Sequence, residues 1–379
     1  MTSSYVLGVG MTRFTKMPDR TIEDVAGDAV LAALADAGAD RQDIGAVFCG
    51  SVFGGVGLGQ RVMRRVGMLG VPIINLENAC ASSGVAMRDA VAWVESESVE
   101  VALVIGVEML THRAAGLITS DADGIAEQLG LTLPGLYAAR AMHYLREHDA
   151  TPADLATVAV KNRRNGALNP FAHFQSPVTL EEVLQSPMIA EPLTQFQCCP
   201  NVDGAAAVVI SSRRTIGAGD PSRAVKIAGW GMRSGNELNV PGAEPQATHL
   251  AATEAYTRAG VGPDEIDLAE VHEPFTFAEF EHCEHLGFCE SGEGAIYARE
   301  GRSAIDGDGV AINPSGGLIS RGHPLGASGA AQIVEVATQL RGEAGARQRV
   351  GARTALTHIM GGNIPEIDSN ACVVHVLTT

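Results

Sequence analysis

Four short stretches hold most of the side chains in this sequence that could do covalent chemistry: ENACASSG around Cys80, VHEPFTF around His272, NPSGGLISRGHPLGASG around His323 and THIMGG around His358. Cys80 is the candidate nucleophile. Small residues follow it (Ala81, Ser82, Ser83, Gly84), and then a run (Val85, Ala86, Met87, Ala90, Val91, Val94) too apolar for a surface helix. Unpaired N–H groups and the positive end of a helix dipole favour the thiolate, the form that attacks a carbonyl. A cysteine at the start of a buried helix therefore suits covalent catalysis. The competing reading, a small buried hydrophobe, gives way because of the other three stretches.

The remaining cysteines read differently. Seven cysteines scattered along 379 residues are an odd number and do not form a disulfide framework, so they are expected to be reduced. Cys49 and Cys372 lie in apolar runs and read as packing, and the adjacent Cys198 and Cys199 read as core residues before the strand NVDGAAAVV. His282, Cys283, His285 and Cys289 do not have the spacing of a zinc finger or ribbon, and no metal site is expected.

The elements that must hold these groups can be read in order. YVLGVG at 5–10 is a strand, TIEDVAGDAVLAALADAG opens on a Thr N-cap and closes at Gly38, and AVFCGSV is the next strand. INLEN leads into the helix after Cys80, and VALVIGVEML at 101–110 is a continuous apolar strand of the kind covered on both faces. From about 111 to 197 six prolines (134, 152, 170, 177, 187, 192) interrupt polar and amphipathic pieces, which suggests an inserted loop domain. AAAVVISS at 205–212 rejoins the core.

The second half repeats the first. ALADAGADRQDIGAV at 33–47 aligns without gaps on AYTRAGVGPDEIDLA at 255–269, and SSGVAMRDAV after Cys80 has a counterpart in ASGAAQIVEV after Gly326. Two copies of one supersecondary unit packed on each other are expected.

Composition sets the class. Hydrophobic residues make up 46% and charged residues 19%, as in a soluble globular protein, and 44 glycines suit an α/β protein with many tight turns. A net charge of −17, with no basic run beyond pieces such as KNRR at 161–164, argues against nucleic acids and anionic membranes. No apolar run reaches spanning length, the first residues lack the pattern of a signal peptide, and a cytoplasmic location is expected.

In order, type and spacing the four stretches resemble the thiolase superfamily, and the resemblance extends to GVGMTRF at 8–14, VIGVEML at 104–110, NVDGAAAVVIS at 201–211 and HLGFCESGEGA at 285–295. The branch it resembles is the sterol-carrier-protein and archaeal one. The resemblance implies an α/β fold in which duplicated βαβαβ halves, about 1–215 and 222–379, form five α-β-α-β-α layers, with the loop domain over the active site. It implies Cys80 as nucleophile, His323 as its base, and His272 with the backbone N–H groups of Cys80 and of the Gly361–Gly362 turn as oxyanion donors. Asn313 and Ser315 are expected to orient a water or a histidine. Coenzyme A is implied as a substrate with no permanently bound cofactor, in at least a homodimer, together with a small subunit carrying an OB-fold and a zinc ribbon.

One departure bears on mechanism. Members that make or break a β-ketoacyl bond usually carry a second cysteine in the last motif or in His-Asp-Cys-Phe, and here neither position has one, Pro274 standing at the latter. His358 is the expected replacement, since its ordinary pKa suits proton transfer. The leading expectation is a thiolase-like acyl-CoA C-acyltransferase. Its rivals are a retro-aldol lyase, for which Tyr297 is the residue of interest, and a non-catalytic subunit, which the intact Cys80 and His323 disfavour.

Overall fold

The computed structural model describes residues 2–113, 130, 132–235, 246–362 and 369–379. Its strands in chain order are β1 (Ser4–Met11), β2 (Ala46–Gly50), β3 (Ile73–Leu76), β4 (Val101–Met109), β5 (Met188–Ala190), β6 (Leu193–Thr194), β7 (Asp203–Ser211), β8 (Val225–Arg233), β9 (Leu268–Glu270), β10 (Ala311–Ile312), β11 (Thr354–Gly361) and β12 (Ala371–Thr378). Apart from the β5–β6 pair they form one sheet in the order β10-β9-β11-β12-β8-β1-β7-β4-β2-β3.

That order is a repeat read outward from the middle. From β1 the sheet runs β7, β4, β2, β3, and from β8 it runs β12, β11, β9, β10. In each half the first pair is antiparallel and the last two pairs are parallel. The internal similarity in the sequence is therefore a duplication of topology. The aligned glycines behave alike too: Gly38 and Gly260 both end a helix in the left-handed region, at φ 64° and 72°, where a side chain would be strained.

Helices Ser82–Glu95 and Ser328–Leu340 lie between the halves. A single core joins Ala86, Met87, Val91 and Val94 of the first and Ala330, Ile333, Val336 and Leu340 of the second to strand residues from both sides, among them Phe48, Val104, Val208, Leu268 and Ala355. A second core under helix Ile22–Ala37 and a third under Ala247–Ala259 cover the outer faces. Helix, half-sheet, helices, half-sheet, helix: the two halves of the continuous sheet give the five expected layers. The two central helices can touch because of glycine, since a Cβ on Gly329 would lie 2.6 Å from the backbone nitrogen of Gly84.

Two of the prolines in the inserted segment start helices instead of breaking them. Leu133–Glu147 and Pro152–Ala167 each carry proline in the first turn, where no intrahelical N–H is lost. Residues 114–129 and 131 of the segment lie outside the described residues.

Candidate active site

Cys80 leaves β3 through a strained turn. Ala79 takes φ 48°, uncommon for a residue with a side chain, and Ser82 holds it there by accepting the Asn78 N–H at 3.0 Å and donating to the Ala79 carbonyl at 2.6 Å. The helix proper begins at Ser82. Burial, the largest cause, pushes the Cys80 thiol up to about 12, while N–H groups of Gly362 and of Cys80 itself pull it down and the charges of Glu108 and Glu77 push it up. The thiolate expected from the helix terminus is therefore not the resting form: desolvation outweighs the dipole, and the thiol holds its proton until a base takes it.

His323 is the group placed to act as that base. Its Nδ1 lies 2.7 Å from the Ser328 hydroxyl, and Ser328 donates its one proton to the Pro324 carbonyl at 3.2 Å. Ser328 must then accept from His323, which fixes the tautomer with the proton on Nδ1 and leaves Nε2 as an acceptor. Nε2 is buried and has no partner. Burial, then the nearby His272 and Arg321, hold His323 well below the usual histidine range, so the ring stays neutral.

His272 completes the group. One ligating atom each from Cys80, His272 and His323 lie within 4.8 Å of one another, and the two rings meet edge to face with centroids 5.4 Å apart. Burial takes His272 down to about 3, which keeps it neutral and able to donate a hydrogen bond to a developing oxyanion. Such a triad also has the spacing of a metal site. Among the described residues no group forms from His282, Cys283, His285 and Cys289.

His358 does not join them. It lies on the face of β11 shared with Leu356, which packs in the outer C-terminal core, and both its ring nitrogens are engaged. Nδ1 accepts the backbone N–H of His272 at 3.4 Å, and Nε2 faces the Thr248 hydroxyl at 3.1 Å. Strand alternation explains the difference from the expected role, because Gly361, not His358, turns toward the nucleophile. A Cβ on Gly361 would lie 1.9 Å from the Asn78 carbonyl, so only glycine fits.

Tyr297 is also elsewhere. It is buried in the outer core, its hydroxyl accepting the Val310 N–H at 2.6 Å, which is a packing role. Ser315 does not face the thiol either: it donates its hydroxyl at 2.6 Å and its N–H at 2.9 Å to Glu270, whose carboxylate pairs with the buried Arg321 at 3.0 Å. This network shapes the loop before His323. Asn313, at φ 55°, accepts the Val271 N–H at 2.8 Å and so aligns that loop with the strand leading to His272, while its buried amide nitrogen is unpartnered.

Three contributors were not singled out from sequence. Ser328 sets the His323 tautomer, and a serine five residues after the histidine was the available signal. Glu108, hidden in an apolar run, accepts N–H groups from Val52, Phe53 and Gly326 at 2.8, 3.0 and 3.1 Å, tying the first half to the His323 loop. Cys199, assigned to the core, is only partly buried, and its N–H donates at 2.9 Å to the carbonyl of Pro274, two residues beyond His272.

Similarity to known proteins runs along most of the chain. Residues 4–214 match the family described as "Thiolase, N-terminal domain", and residues 239–374 match "Thiolase C-terminal domain-like". The chain is 38% identical over 366 residues to the benzoylsuccinyl-CoA thiolase subunit BbsB of Thauera aromatica, covering 94% of each. It is 37% identical over 370 residues to an acetyl-CoA acetyltransferase of Methanothermobacter thermautotrophicus, covering 94% of this chain and 96% of that one. A solved structure described as the Ltp2-ChsH2(DUF35) aldolase superposes with a TM-score of 0.84 at 26% identity, covering 100% of this chain and 98% of the other.

Proposed function

The chain belongs to the thiolase family and is an acyl-CoA C-acyltransferase, and from that premise we propose that Cys80 carries the acyl group when a β-ketoacyl-CoA is cleaved by CoA or formed in reverse. The observation that carries this reading is the convergence of Cys80, His272 and His323 within 4.8 Å, with a bare His323 Nε2. His323 takes the thiol proton as Cys80 attacks. The oxyanion is received by His272 and by backbone N–H groups, that of Gly362 already pointing at the thiol. Coenzyme A enters as a substrate.

The test is intact-mass measurement after incubation with acetyl-CoA. A stable increment of one acetyl group on the wild-type chain, absent from Cys80→Ala, is the expected result, and turnover of Cys80→Ala should fall by roughly four orders of magnitude. Near wild-type turnover in Cys80→Ala would remove the thiol from the mechanism. Retro-aldol cleavage is the weaker reading, since Tyr297 is held by Val310 and packs away from the triad.

For assembly we infer a homodimer with a small acyl-CoA-binding subunit. The support is indirect: β3 ends the sheet with an unpaired edge among the described residues, one relative is named as a subunit, and the Ltp2 structure contains a ChsH2(DUF35) protein. No helix among the described residues is long and apolar enough to cross a membrane, which is compatible with the proposed cytoplasmic location.

A further inference from the structure

Cleaving a β-ketoacyl-CoA needs a second proton donor besides His323. When the tetrahedral adduct on Cys80 collapses, the Cα–Cβ bond breaks and its electron pair passes to the α-carbon of the departing thioester, which must be protonated. The family resemblance implies a cysteine for this task at the place where this chain has Pro274. His358, the expected substitute, uses both ring nitrogens elsewhere.

Pro274 is not without a thiol beside it. The N–H of Cys199 donates to the Pro274 carbonyl at 2.9 Å, and Cys198 bridges to Phe275 as in an antiparallel pair. This ties the Cys198–Cys199 pair to the loop that carries His272, whose ring belongs to the triad. The two cysteines divide. Both are partly buried, but Cys198 donates to the Thr194 carbonyl at 3.4 Å and packs in the inserted segment's core, an engagement that Cys199 does not share among the described residues. Burial first, and then the neighbouring Cys198 and Cys80 thiols, push Cys199 well above its ordinary value, so it rests protonated as an acid must. Tyr137, whose hydroxyl burial pushes up to about 12, packs its ring on Phe275 of the same loop with centroids 4.8 Å apart. The site also holds two buried, unpartnered acceptors or donors, His272 Nδ1 and His323 Nε2.

We propose that Cys199 is the acid/base for the α-carbon, replacing from a different chain segment the cysteine that position 274 lacks. The proposal rests on the acyl-enzyme reading above. In cleavage the Cys199 S–H bond breaks and its proton goes to the α-carbon, leaving a Cys199 thiolate and an acyl group on Cys80. Between the half-reactions the proton held by His323 passes through solvent to the Cys199 thiolate. The incoming CoA thiol then gives its proton to His323 while its sulfur attacks the acyl carbonyl, and Cys80 leaves and takes that proton from His323. No oxidant or further reactant is required.

The experiment uses the full chain with acetyl-CoA in D₂O and reads two rates separately: acetylation of Cys80 by mass, and deuterium entry at the acetyl-CoA methyl group by NMR. Cys199→Ala should acetylate Cys80 within about threefold of wild type but exchange deuterium at least ~100-fold more slowly, in the range that general acids and bases contribute. Cys199→Ser, which keeps size but not acidity, should behave like Cys199→Ala, and Tyr137→Phe should stay within about threefold in both. Exchange retained in Cys199→Ala overturns the proposal, as does an equal fall in both rates or a selective loss in Tyr137→Phe instead. Failure of the wild type to acetylate would strike the acyl-enzyme reading, a result separable from loss of exchange alone.

Discussion

The turns that lead into the two central helices are copies of one design put to opposite uses. Ser83-Gly84 and Ser328-Gly329 occupy equivalent places in the repeat, and neither glycine has room for a side chain: a Cβ on Gly329 would meet the backbone of Gly84, and one on Gly84 the side chain of Ile359. The serines diverge. Ser83 accepts the N–H of Ala330 at 2.9 Å and so fastens one helix to the other, while Ser328 turns back to hold His323. Upstream the divergence is complete, for the place of Cys80 is taken by Leu325 and that of His323 by Asn78. A duplicated scaffold brings two helix starts face to face, and the site arises because one copy kept a thiol and the other an imidazole.

The sharpest way to break this pairing is to remove the base and leave the thiol. His323→Ala should slow acetylation of Cys80 by ~10²- to 10⁴-fold, since a buried thiol held up to about 12 cannot ionise unaided at neutral pH. The sign of the pH dependence follows from His323 being pushed down. A base whose pKa is lowered loses activity only when pH falls through that lowered value, so wild-type acetylation should stay nearly flat from pH 8 to the ordinary histidine value of about 6.5. A decline centred near 6.5 in stopped-flow or quenched mass measurements would show an exposed, ordinary histidine instead.

A milder break tests the serines against each other. Ser328→Ala frees the His323 tautomer and should lower acetylation by about tenfold. Its counterpart Ser83→Ala should leave acetylation within about twofold but destabilise the fold by about 1 to 3 kcal/mol, because the Ala330 N–H is left unsatisfied in the core. Equal effects of the two on catalysis would mean that the copies have not specialised.

Much of this comparison could be read from the chain before its folding. The repeat, both glycine helix ends and the apolar helix after Cys80 are local patterns, and local patterns survive in sequence. Cys80 and His323 stood out because each sits among small residues, whereas His272 came with the family resemblance. What escaped depended on distance in sequence. The contact between Cys199 and Pro274 spans segments far apart, and Glu108 reads as a fault in a hydrophobic strand until its three backbone partners are seen. The charge state of Cys80 escaped for another reason: a helix start is visible in sequence, whereas the burial that outweighs it is not. Prolines at 134 and 152 misled because a residue that ends one helix also begins another.

The smallest expected effect concerns the strand that passes between the two turns. His358 sits beside the triad but is turned from it, accepting the His272 N–H and meeting Thr248. His358→Asn keeps an acceptor close to where Nδ1 lies, so acetylation and deuterium exchange should both remain within about threefold. Loss of the Thr248 partner in a buried setting should still cost about 1 to 3 kcal/mol in denaturant unfolding. The signature of a supporting side chain is thus a stability change with the two rates moving together. A ~100-fold loss of exchange with intact acetylation would return the α-carbon proton to His358 and take it from Cys199, and with it the idea that the second acid came from outside the duplicated core.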